Sequence, residues 1–158
     1  MALVRILVDG YSLLHNWPQL APGKARHSQA ARNELIHVLT RYQDACGTPV
    51  TVIFDGAGSK RGRPEAETEP AVEVLYSRAG QTADQMIERA THRFKEYGEV
   101  LVVTDDFAER DTVTAFGAMA SSCENFIRTV ESDLADLQRM LQSFNQREKT
   151  KFGMSSNL

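Results

Sequence analysis

Leu3-Val4-Arg5-Ile6-Leu7-Val8-Asp9-Gly10-Tyr11-Ser12 is the stretch from which the fold is read. Ile6-Leu7-Val8 is a short apolar run, β-branched at both ends, cut off by an acid and a glycine. A strand buried on both faces has this form, as in the middle of a parallel sheet. Asp9 then falls at the strand's carboxyl end, the edge at which open α/β sheets bind ligands. A carboxylate buried there is costly unless it is paired, hydrogen-bonded or bound to metal.

The same pattern recurs downstream. Val50 to Phe54 ends in Asp55-Gly56, Ala71 to Tyr76 reads as a further strand, and Val100 to Thr104 ends in Asp105-Asp106. Helical spacing fills the intervals. Ala31, Leu35, Val38, Leu39 and Tyr42 share one face of a helix from Ser28 to Cys46, with Gly47 placed to end it. Thr82 and Gln85 form a capping box for a helix reaching about Tyr97, with Ala83, Met86, Ile87, Ala90 and Phe94 inward. A short helix is expected to start at Asp105-Asp106 and stop before Gly117. Ser121 with Glu124 is read as the cap of a long last helix carrying Phe126, Ile127, Val130, Leu134, Leu137 and Leu141. His15 to Arg26 and Gly56 to Pro70 read as loops. Strands alternating with helices predict a parallel α/β sheet with right-handed crossovers. One domain is expected over 1–143, followed by a polar tail over 144–158 with no expected order.

The chain has 158 residues and a net charge of −3, so no global positive field draws it to nucleic acid, and such a partner would need a local basic patch. Cys46 and Cys123 stand in no metal-ligand spacing and read as reduced thiols. With no apolar stretch of membrane or signal-peptide length, a cytoplasmic location is expected.

Because the strands run parallel, the acids at their ends gather on one rim: Asp9, Asp55, Asp105 and Asp106. Asp84 joins them from the first turn of the following helix, and Glu88 lies one turn on. Two carboxylates about 6 Å apart repel by about 3 kcal/mol at an effective dielectric near 20. Several such pairs call for a positive charge among them. Oxygen ligands at a sheet edge suit Mg²⁺ or Mn²⁺, and the chemistry that fits is metal-assisted phosphodiester hydrolysis. Plainer roles exist for each acid. Asp106 with Glu109 makes a helix cap, Asp84 favours a helix dipole, and Asp55-Gly56 suits a turn.

Taken together, Ile6 to Tyr11, Val52 to Gly56, Val72-Glu73-Val74 leading to Thr82-Ala83-Asp84, Ile87-Glu88-Arg89 and Val102 to Asp106 resemble the YacP-like NYN domains, a branch of the PIN-like ribonucleases. The resemblance spans about Leu3 to Val130. It implies a PIN-like three-layer α/β/α fold and divalent-metal-dependent endoribonuclease activity on single-stranded RNA, for some bacterial relatives on mRNA at the ribosome. Carried over by position, Asp9, Asp84 and Asp106 are the catalytic, metal-binding acids. Asp105 stands beside Asp106 as an alternative metal ligand, and Ser12, Asp55 and Glu88 are supporting residues. Ser12 occupies a position where the family usually has asparagine.

For RNA, the basic residues Lys60, Arg61 and Arg63 follow Asp55, and Arg78 precedes Thr82, all starting from the acidic side of the sheet. Tyr11 and Trp17 are candidates for stacking on bases and equally for anchoring the core. Two other functions compete: a catalytically weak or inactive RNA- or ribosome-binding module of the same fold, and a phosphotransfer receiver. The receiver expects a lysine after a late strand, and Ala115 to Ser122 contains none.

Overall fold

Parallel pairing of five short strands builds the molecule, a computed structural model that describes residues 2–56 and 72–151. Strand β1 (Leu3–Asp9) leads into a one-and-a-half-turn helix, α1 (Gly10–His15), and then α2 (Gln29–Cys46). Strands β2 (Val50–Phe54) and β3 (Glu73–Tyr76) precede α3 (Ala83–Lys95). Strand β4 (Glu99–Val103), helix α4 (Phe107–Ala115), strand β5 (Met119–Ser121) and helix α5 (Cys123–Lys151) complete the order. The sheet runs β3-β2-β1-β4-β5, and every neighbouring pair is parallel.

Alternation along each strand divides the core into two layers. Ile6 and Val8 of β1, with Val50, Val52 and Phe54 of β2, face α2 and α5 through Leu35, Leu39, Tyr42, Phe126 and Val130. Leu7, Ile53 and Val102 face α3 and α4 through Ala83, Ile87 and Val113. Both faces of β1 and β2 are therefore covered, which is why their sequences read as unbroken apolar runs. This is the expected three-layer α/β/α arrangement. The sheet is parallel throughout.

Local chemistry sets the helix ends. Ser28 accepts from Ala31 N to start α2, and Gly47 closes it in the left-handed region at φ 79°. Thr82 and Gln85 satisfy each other's backbone in a complete capping box on α3. At α4 the cap is half of a box: Asp106 accepts from Ala108 N and Glu109 N, while its own N–H goes to the Thr104 hydroxyl.

Three expectations are corrected. The chain after Asp9 coils into α1, so that His15 ends a helix where a loop is expected to begin, because the Asp9 carboxylate accepts from Ser12 N as an N-cap does. Ser121 does not cap the last helix. It ends β5, and the neighbouring Ser122 hydroxyl accepts from Asn125 N instead. The expected tail remains helical over residues 144–151, since its Gln, Arg, Glu and Lys residues are good helix formers. Residues 152–158 lie outside the described residues. Among the described residues no helix is long and apolar enough to cross a membrane.

Candidate functional site

Chain order reverses direction at β1: β2 and β3 extend the sheet one way, and β4 and β5 the other. The carboxyl end of such a switch point is where doubly wound sheets leave a crevice for ligands. Asp9 ends β1 there, and Asp105-Asp106 follow β4 immediately beside it.

Asp9 is the most constrained of these acids. Its Oδ1 accepts from Ser12 N at 3.3 Å and its Oδ2 from the Thr104 hydroxyl at 3.3 Å. Thr104 is fully buried and also accepts from Asp106 N, so one hydroxyl holds the two acidic segments in register. Burial raises the Asp9 pKa from 3.8 to about 6, with repulsion from Asp84 and Asp55 added and the two hydrogen bonds opposing. Asp84 is likewise raised, by burial first and then by Asp106, Glu88 and Asp55.

Helices α3 and α4 lie side by side, and between them Glu109 meets Glu88. Glu109 is 3% exposed, and its Oε2 has no hydrogen-bond partner among the described residues. Its pKa is pushed up to about 9 by burial, by the hydrogen bond with Glu88, and by the charges of Asp84, Glu88 and Asp106. A proton on Glu109 turns two facing carboxylates into a hydrogen-bonded pair. Asp9, Asp55, Asp84, Glu88, Asp106 and Glu109 thus form one electrostatic group. The ion pairs among the described residues join Lys95 to Glu99, Arg128 to Glu124 and Arg139 to Asp136, none of them in that group.

The two adjacent acids after β4 have different tasks. Asp105 turns its Oδ1 onto Cys123 N at 2.8 Å, capping α5, whereas Asp106 is the one that acts on Asp84. Ser12 sides with Asp105: its hydroxyl accepts from Asp105 N at 3.0 Å and touches Cys123 Sγ at 3.5 Å. The serine therefore serves as a latch between α1, the β4 end and α5. Asp55 is held by the Ser77 hydroxyl at 2.9 Å, which in turn accepts from Gly56 N.

Of the expected RNA contacts, Arg78 is exposed in the loop leading to α3. Lys60, Arg61 and Arg63 lie outside the described residues. Trp17 is a core residue, 5% exposed, and Tyr11 packs on Phe54 and His27 while its hydroxyl accepts from Arg32. Trp17 is therefore not placed to stack on a base, and Tyr11 is engaged in ring contacts within the fold. Thr104, Ser77 and Glu109 were not legible as site residues. Only Glu109 left a trace, as the third position of a helix opened by Asp106.

The donor set is carboxylate oxygen throughout, the chemistry that Mg²⁺ and Mn²⁺ accept. Among the described residues, no group of three or more His, Cys, Asp or Glu side chains is arranged to hold a metal ion directly. Mg²⁺ keeps several waters and takes one or two carboxylates itself. Acids that share a space without converging on a point fit that demand.

A family model described as the YacP-like NYN domain matches residues 6–157. The YacP protein of Bacillus subtilis (strain 168) is 31% identical over 144 residues, covering 90% of this chain and 84% of that protein. The crystal structure of Rae1 (YacP) from Bacillus subtilis superposes with a TM-score of 0.77 at 28% identity, over 96% of this chain and 86% of that one. A single-substitution mutant of Rae1 gives 0.75 at 28% identity, over 91% and 85%.

Proposed function

The chain belongs to the YacP-like NYN domain family, and from that premise we propose that it is a divalent-metal-dependent endoribonuclease acting on single-stranded RNA, mRNA at the ribosome included. The family is nuclease-like and its chemistry is directed at RNA. One observation carries the finer reading. Asp9, Asp84 and Glu109, whose pKa values are raised by burial and then by neighbouring carboxylates, are gathered at the switch point of the sheet, and none of the ion pairs among the described residues involves them.

In this reading Asp9, Asp84 and Asp106 would hold Mg²⁺ or Mn²⁺ between them, directly or through the waters the ion keeps, and Asp55 would assist. Asp105 and Asp106 each use Oδ1 to cap a helix, and Asp106 is the one whose charge acts on Asp84, so the metal would fall to Asp106. When bound there, such an ion would supply an activated water and neutralise charge on the scissile phosphate. The chain's own residues set the geometry. Ser12 N and the Thr104 hydroxyl fix the Asp9 carboxylate, Ser77 fixes Asp55, and burial of Glu109 among the neighbouring acids favours its protonated form. Arg78 and the basic residues Lys60, Arg61 and Arg63 grip the phosphate backbone.

A second reading, an RNA- or ribosome-binding module without catalysis, is favoured by the lack of a direct three-ligand arrangement among the described residues. Incubating the protein with end-labelled single-stranded RNA in Mn²⁺, Mg²⁺ or EDTA separates the two. Internal cuts that need metal are the expected result. RNA retained on the protein but uncut in all three conditions would establish the second reading.

Stability without metal provides an independent check. Folded Asp9, Asp84 and Glu109 bind protons more tightly than the unfolded chain does, so stability falls as pH rises. The loss runs from near 3.8 to about 6 for Asp9, and from 4.5 to about 9 for Glu109. In EDTA the thermal midpoint should therefore be lower at about pH 8.5 than at about pH 6, and Mn²⁺ should narrow the gap. A midpoint that climbs over that interval in EDTA would contradict the electrostatic account.

A further inference from the structure

Phe107 opens α4 directly after Asp106, and its residue surface is 76% exposed. Folding gives no reason for a phenyl ring there. Asp106 supplies the cap, and the side chains that α4 buries are Glu109 and Val113. The ring is nonetheless held. Arg110, one turn on, lays its guanidinium carbon 4.5 Å from the ring centroid. One face of the phenyl thus carries a cation, and the exposure leaves the other to solvent. Arg110 enters no ion pair among the described residues.

Position separates Phe107 from the other exposed apolar side chains. Tyr97 precedes β4 and Phe116 ends α4, so both lie at the amino edge of the sheet, and Met119 begins β5 there. Met140, Leu141 and Phe144 lie far along α5. Among the described residues, Phe107 is the large exposed hydrophobic at the acidic rim. Consecutive Cα atoms are about 3.8 Å apart, so its ring and the Asp106 carboxylate can serve one nucleotide and its neighbour.

We propose that Phe107, backed by Arg110, is the platform on which an unpaired base of the RNA stacks beside the phosphate held at the acidic rim. This deepens the nuclease reading and rests on it. An aromatic face accepts any base, and it requires that the base be unpaired. The platform therefore selects single strands without selecting sequence, and the Arg110 guanidinium adds attraction for the adjoining phosphate.

The test uses the full chain with Phe107→Ala and Phe107→Trp, an RNA carrying 2-aminopurine, and Mn²⁺. Phe107→Ala should raise KM about tenfold with kcat changed by no more than about twofold, and Phe107→Trp should restore KM. Fluorescence quenching of 2-aminopurine on binding to an uncleaving Asp84→Asn protein should vanish when Phe107→Ala is added. If the wild type cleaves and Phe107→Ala leaves both KM and quenching unchanged, the platform is wrong and the nuclease reading stands. If the wild type never cleaves but quenching still depends on Phe107, the nuclease reading fails and the platform belongs to a binding module.

Discussion

Replacing Asp9 and Asp84 together by asparagine should abolish metal-dependent cleavage, by about a thousandfold or more, while raising the thermal midpoint of the metal-free protein. The two effects have one cause. The pKa values of Asp9 and Asp84 are raised by burial first and then by neighbouring acids, so their charged forms oppose folding. Asparagine keeps the shape and removes the charge. Its Oδ1 still accepts from Ser12 N, and its Nδ2 can donate to the Thr104 hydroxyl, reversing the direction of that bond. Each kcal/mol of repulsion relieved lifts the midpoint by about 2–4 °C in a chain of this size. Activity assays beside thermal scans in EDTA check both halves. Cleavage that survives the double substitution would remove these acids from the reaction. A lowered midpoint would mean that their hydrogen bonds outweigh their repulsion.

Gly56→Ala should destabilise the protein by about 3 kcal/mol. A Cβ at Gly56 would lie 2.3 Å from Ser77 O and 3.0 Å from Ser77 N, both backbone atoms, and 3.0 Å from Tyr76 Cβ. Relief requires β2 and β3 to part where Ser77 N donates to Phe54 O, a bond of 3.0 Å. The same movement releases Asp55, because the Ser77 hydroxyl bonds both its carboxylate and Gly56 N. Gly10 is confined by a side chain instead: its Cβ would meet the buried Phe54 ring at 2.4 Å. Gly10→Ala should cost somewhat less, about 2 kcal/mol, since a ring gives more readily than a strand. Urea unfolding measures both, with an unchanged m value expected. A loss below about 0.5 kcal/mol for Gly56→Ala would refute the close approach.

These glycines explain the repeated Asp-Gly ending of β1 and β2. Neither has a positive φ, so the motif is not required by turn conformation. It marks the two places where the chain leaves the sheet against a neighbour with no room for a side chain.

Much of this protein was determined by its sequence alone, and the reason is local. Ile6-Leu7-Val8 and Val50 to Phe54 are apolar on both faces because both faces of the sheet are covered, so parallel pairing was written in each run. Ser28, Gly47, Thr82 and Gln85 act on backbone groups within a few residues, so the bounds of α2 and α3 could be read without tertiary knowledge. Parallel strands also oblige Asp9, Asp55 and Asp106 to share a rim. Tertiary structure alone decided what each acid does. Asp105 and Asp106 are neighbours of identical chemistry, and only the packing of α5 against the end of β4 turns one onto Cys123 N and leaves the other facing Asp84. The latch from Ser12 to Asp105 spans 93 residues, and the bond from Thr104 to Asp9 spans 95. The burial of Glu109 against Glu88 depends on how two helices lie together. The aromatic roles were also settled by packing, which sent Trp17 into the core and left Phe107 at the rim. Hydrogen bonds and charge repulsion at such separations depend on where the fold brings the chain, which no periodicity or spacing in the sequence encodes.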